Sequence, residues 1–85
     1  MKKKEKKILK YTAIFEPAEE GGYVVTVPAL PGCVTEGDTF EEAVVMVKDA
    51  IKCYCSSLIK HGEPVPKEPE EEFIGVVEVP IFMPA

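Results

Sequence analysis

TFEEAVVMVKDAIKCYCSSLIKH, from Thr39 to His61, is the stretch whose reading decides the fold. Phe40, Ala43, Val44, Val47, Ala50, Ile51, Tyr54 and Leu58 recur at spacings of three and four, the period of one apolar helix stripe. Thr39-Phe-Glu-Glu42 matches a capping box, in which the Thr39 hydroxyl accepts from an early amide and Glu42 reaches back to the Thr39 amide. Glu41 and Glu42 complement the positive end of the helix, and Lys60 and His61 the negative end. Gly62 is the expected C′ residue and Pro64 forbids continuation. Residues 39–61 would span about 33 Å, enough to cover one face of a small sheet.

Working outward from that helix, the chain reads as strands. Residues 8–15 place Tyr11, Ala13 and Phe15 on one face and Lys10, Thr12 and Glu16 on the other, broken only by Ile14. Glu16-Pro-Ala-Glu-Glu-Gly-Gly22 is hairpin-loop chemistry. Residues 23–27 form a second, β-branched strand, and Pro28-Ala-Leu-Pro-Gly32 turns the chain. Residues 33–38 read as a shorter, more polar strand near an edge. Beyond the helix, residues 63–72 form a Pro- and Glu-rich connector too polar to pack, and residues 73–79 return to strand composition. Pro80, Ile81, Phe82, Met83 and Pro84 make an apolar tail. The expected fold is α+β, a two-layer β-β-β-α-β unit, with a basic tail at 1–7 and one domain at 8–85.

Charge is unevenly placed. The first ten residues hold six lysines against one glutamate, a net +5, while the remainder holds four lysines and fourteen acids, a net −10. An acidic body repels phosphate backbones and attracts basic partners. The lysine run suits a solubilising or edge-protecting tail. No stretch approaches the ~20 apolar residues of a membrane span, and the lysines interrupt any secretory signal, so a cytoplasmic protein is expected. Cys33, Cys53 and Cys55 fit that compartment as small hydrophobes. Cys53 and Cys55, two apart on a helix, point about 200° apart and cannot close on one metal.

The residues offer little for catalysis. His61 is the sole histidine and has a structural role at a helix end. No Ser or Cys is paired with a base, and no glycine-rich loop opens a helix. The element order is similar to the start of an RNase H-like fold, whose nucleases hold two metal ions with acids, one from the middle of the first strand. Here that interior is Tyr11-Thr-Ala-Ile-Phe15, without an acid. Glu36, Asp38, Glu42 and Asp49 are explained by a solvated strand edge and a helix cap. No catalytic residue, metal or cofactor is therefore assigned.

Three segments carry a family resemblance: Tyr11-Thr-Ala-Ile-Phe-Glu-Pro17, Gly22-Tyr-Val-Val-Thr-Val-Pro-Ala-Leu-Pro-Gly-Cys33 and Thr35-Glu-Gly-Asp-Thr-Phe-Glu-Glu-Ala43. Together they resemble the HicB antitoxin domain, from about Tyr11 through Pro66. The resemblance implies a degenerate RNase H-like unit. It also implies a non-enzymatic function, the inhibition of a HicA-like toxin, a small basic mRNA-cleaving ribonuclease, by covering its active site. Many family members continue into a C-terminal DNA-binding module. This chain ends at Ala85 without one, so direct operator binding is not expected of it.

Glu19, Glu20, Glu36 and Asp38 are the expected acidic contacts to a basic toxin, with Val45 and Met46 as apolar ones. Ile59, Ile81, Phe82 and Met83 are the expected contacts of a homo-oligomer, a dimer or tetramer. The alternative function is an orphan homo-oligomeric binding module without a toxin.

Overall fold

The computed structural model describes residues 6–68 and 75–84. Three strands, β1 (Ile14–Pro17), β2 (Tyr23–Thr26) and β3 (Val34–Gly37), precede one helix, α1 (Phe40–Lys60). The sheet is antiparallel in the order β1-β2-β3. Its registers place Phe15 opposite Val25 and Val25 opposite Thr35, a row that faces α1. The fold is thus α+β, with one helix laid on one face of a three-stranded sheet.

The expected first strand is shortened to its C-terminal end. Ile14 pairs with Thr26, the last residue of β2, and the next amide, Val27, donates to Cys33 across a loop. Among the described residues, 8–13 therefore have no ladder partner. Tyr11 and Ala13 nonetheless pack against the core, as the alternation predicts.

α1 begins and ends on local chemistry. The Glu42 amide donates to Thr39 Oγ1 at 3.0 Å. The Glu42 carboxylate accepts from the Asp38 amide at 3.3 Å, rather than from Thr39 as the capping box predicts. It thereby satisfies the residue that joins β3 to the helix. At the other end Gly62, at φ +70°, closes a Schellman motif. The Gly62 amide donates to Ile59 and the Glu63 amide to Leu58, while His61 Nδ1 lies 2.7 Å from the Ser57 carbonyl.

The core is Val25, Val27, Leu30, Cys33, Ala43, Val47 and Cys55. Leu30 lies in the connection expected only to turn the chain, yet it is completely buried. Its amide donates to Val27, its carbonyl accepts from Cys33, and Tyr54 donates its hydroxyl to the adjacent Pro31 carbonyl at 2.8 Å. The loop is a plug held from both sides.

Three further expectations change. Cys53 is exposed, because a residue two positions from buried Cys55 falls on the opposite side of the helix. The connector does pack at its start: Val65 joins the core periphery, Tyr11 donates its hydroxyl to the Pro66 carbonyl, and the Thr12 amide donates to Glu68 at 2.7 Å. Paired backbone groups offset its polarity; its end, at 69–72, lies outside the described residues. The fourth strand expected at 73–79 is partly outside them too, and its described part, 75–79, has no sheet pairing. β-branched composition expresses fit to a pleated, half-buried surface, and the exposed residues 76–79 are not packed on one.

Candidate functional site

Glycine brings the acidic residues together. Gly22 has φ +77°, and a Cβ there would sit 2.5 Å from the Gly37 carbonyl oxygen. A Cβ on Gly37 would sit 2.5 Å from the Ala43 amide. The β1–β2 loop, the end of β3 and the first turn of α1 are thus stacked backbone on backbone. That stacking sets Glu19 and Glu20 of the loop beside Glu36 and Asp38 at the end of β3, around a depression of about 540 Å³ with Tyr23 in its wall. The four acids expected to meet a basic partner therefore share one site. The 18–22 loop that carries two of them is closed by the Ala18 amide to Gly22 and the Gly21 amide to Ala18, each at 3.0 Å.

Aromatic rings support the same end of the sheet. Phe40 is 48% exposed although it begins the apolar stripe. Its ring lies 4.9 Å from that of Phe15 and 6.0 Å, edge-on, from that of Tyr23. Such pairs contribute about 0.5–1.5 kcal/mol beyond their burial.

The depression continues onto a surface that the sequence reading missed. α1 covers one sheet face only; on the other, Glu16, Val24 and Glu36 form one cross-strand row and Ile14, Thr26 and Val34 the next. Ile14 is 44% and Val34 57% exposed. Glu36 belongs to both the row and the depression. The available signal was Ile14, whose apolar side chain breaks the alternation of its strand: it marks a sheet with two apolar faces and one helix. Solvent-facing apolar side chains rimmed by carboxylates suit a partner that is basic and partly apolar.

A second depression, also about 540 Å³, runs between the N-terminal segment and α1. Leu9, Val44 and Ile51 line it, and so do Lys10, Lys48 and Lys52, whose side chains are exposed. Tyr11 lies within it, donating to Pro66 and 3.8 Å from Cys55 Sγ. Burial first, then the Cys55 hydrogen bond and charge and the Glu68 carboxylate, push the Tyr11 phenol from its ordinary 10.0 up to about 12. The unfolded chain would ionise this group near 10 while the fold holds the proton to about 12, so its contribution to stability is complete below pH 10 and lost as the pH rises from 10 to 12. A phenolate absorbance titration should show a step near 12 that Tyr11→Phe removes. If no such step depends on Tyr11, this contact is not made. Burial, with the Cys55 thiol beside it, likewise raises the Cys33 thiol, keeping it protonated.

The remaining candidates stand apart. Val45 and Met46 are exposed on α1 and line neither depression. Ile59 is exposed near the end of α1, and Ile81, Phe82 and Met83 are exposed in the tail. Among the described residues, no three His, Cys, Asp or Glu side chains are arranged to hold a metal ion. Nor is any helix among them long and apolar enough to cross a membrane.

Comparison with known proteins assigns the chain. The family described as "HicB_like antitoxin of bacterial toxin-antitoxin system" matches residues 11–78. A UPF0150 protein of Thermoplasma acidophilum is 52% identical over 64 residues, covering 75% of this chain and 93% of that protein. Antitoxin HicB 1 of Photorhabdus laumondii is 40% identical over 60 residues, covering 71% of this chain but 39% of that antitoxin. Antitoxin HicB of Escherichia coli is 31% identical over 74 residues, covering 86% of this chain and 54% of that antitoxin. Most of the present chain thus corresponds to a part of each named antitoxin and to nearly all of the archaeal relative. The chain belongs to the HicB-like antitoxin family of bacterial toxin–antitoxin systems.

Proposed function

We propose that this protein neutralises a small basic mRNA-cleaving toxin of the HicA type by laying its acidic depression and the adjoining open sheet face over the toxin's active site. The observation that carries this reading is the gathering of Glu19, Glu20, Glu36 and Asp38 around one concavity. A toxin that binds RNA presents cationic side chains where phosphates sit, and carboxylates spaced around a depression compete for those positions. Inhibition is by occupancy: the antitoxin performs no turnover and requires no cofactor. It acts in the cytoplasm, where the toxin's mRNA substrate lies. The β-β-β-α order fits a degenerate RNase H-like unit, and the one acid of β1, Glu16, stands exposed on the sheet face away from α1.

The test is co-expression with small basic toxin candidates from the same genome. Restored growth and a co-purifying complex are expected. Absence of a complex with every candidate, or RNA cleavage by the isolated chain that a carboxylate substitution abolishes, would overturn the reading.

The exposed apolar segment around Ile81 and Phe82 favours a second reading, a self-associating module without a toxin. The two readings differ in whether a toxin is bound; self-association through this segment would leave the acidic depression open and so is compatible with either.

A further inference from the structure

We propose that the lysine-lined groove between the N-terminal segment and α1 receives the C-terminal segment, residues 75–84, of a second copy of this chain, reciprocally, to close a dimer. The inference deepens the self-association reading and does not depend on toxin binding.

The chemistry of groove and segment matches in kind and sign. The groove is lined by apolar Leu9, Val44 and Ile51 together with Lys10, Lys48 and Lys52. The segment is apolar with one acid in its middle, Glu78, and in the sequence it follows the acidic run Glu70, Glu71 and Glu72. Val76 is 96% exposed, and Phe82 is fully exposed. Side chains of that size left in water are uncommon unless a partner covers them. Pro80 removes one ladder amide, so such a segment docks chiefly through side chains.

The dimensions favour a second copy over the chain's own groove. The Cα radius of gyration is 17.1 Å and the longest extent 69 Å. A compact chain of this length would have a radius near 12 Å, and the exposure of Val76, Val77, Ile81, Phe82 and Met83 leaves the segment uncovered by its own body. From Val44 to Cys55 the groove follows about 17 Å of helix, which five or six residues of extended chain span. The stretch from Val76 to Met83 is long enough for that. If each copy offers one segment and one groove, the exchange closes at two under twofold symmetry.

Light scattering and sedimentation of the full chain should show a dimer. Ile81→Asp with Phe82→Asp, and separately Lys48→Glu with Lys52→Glu, should each weaken it at least tenfold, with the helical circular dichroism retained. Adding Glu78→Lys to the lysine double variant should restore most of the lost affinity. Carbodiimide coupling in an equilibrated mixture of 15N-labelled and unlabelled chains should join Glu78 of one isotope to Lys48 or Lys52 of the other. A monomeric full chain, a dimer insensitive to either pair of substitutions, or coupling confined to single chains would overturn the proposal. Toxin binding reports separately: the tail variant should still capture the toxin, whereas an unaltered chain that dimerises but captures no toxin would count against the acidic site alone.

Discussion

Replacing Glu19 and Glu36 together by lysine should weaken the complex with a basic toxin by about 100- to 1000-fold while leaving the melting temperature nearly unchanged. Both residues are exposed and both line the depression, Glu19 from the β1–β2 loop and Glu36 from β3. Each substitution removes an attraction and adds a repulsion against the toxin's cations. Close interfacial charge pairs contribute about 1.5–7 kcal/mol in measured cases, so two reversals reach several kcal/mol together. Rim charges act strongly on encounter, so the association rate of the unaltered protein should fall as salt rises, and that of the variant should not. Isothermal titration and surface-binding kinetics at two ionic strengths would measure this. A variant that binds within a factor of three of the parent would show that the toxin docks elsewhere.

Leu30→Ala should cost about 3 kcal/mol of stability and lower the melting temperature by about 10–25 °C. Leu30 is completely buried although it belongs to a loop. Truncation there loses transfer free energy and leaves a cavity beneath a segment whose backbone is tied at Val27, Leu30 and Cys33 and therefore cannot collapse freely. A domain of this size holds only about 4–13 kcal/mol in total, so the loss is a large share. Val45→Ala, on the exposed side of α1, should change stability by less than about 0.5 kcal/mol and serves as the control. Chemical denaturation with a midpoint equal to that of the parent would refute the role of the loop as a core plug.

Local chemistry made much of the fold legible. Thr39, the stripe from Ala43 through Tyr54, and Gly62 specify α1 through side-chain-to-backbone capping, periodicity and a left-handed C′ residue. None of these needs a distant partner. The hairpin between β1 and β2 was equally readable from Pro17, Gly21 and Gly22. The capping partner of the Glu42 carboxylate was not, because whether it takes the Asp38 or the Thr39 amide depends on how β3 enters the helix.

What the sequence by itself determined is the order of the three strands and the helix and the identity of the acidic residues, since periodicity, caps and turns act over a few neighbouring positions. Tertiary structure alone decided that Glu19 and Glu20 stand with Glu36 and Asp38, through the close stacking of Gly22 on Gly37 and Gly37 on Ala43. It also decided that Leu30 is core, that Ile14 and Val34 face outward, and that residues 75–79 do not join the sheet. Each of these depends on which surfaces remain uncovered once one helix has been laid on one face of a three-stranded sheet. A hydrophobic pattern states which residues need burial, but only the packed whole determines which of them obtain it.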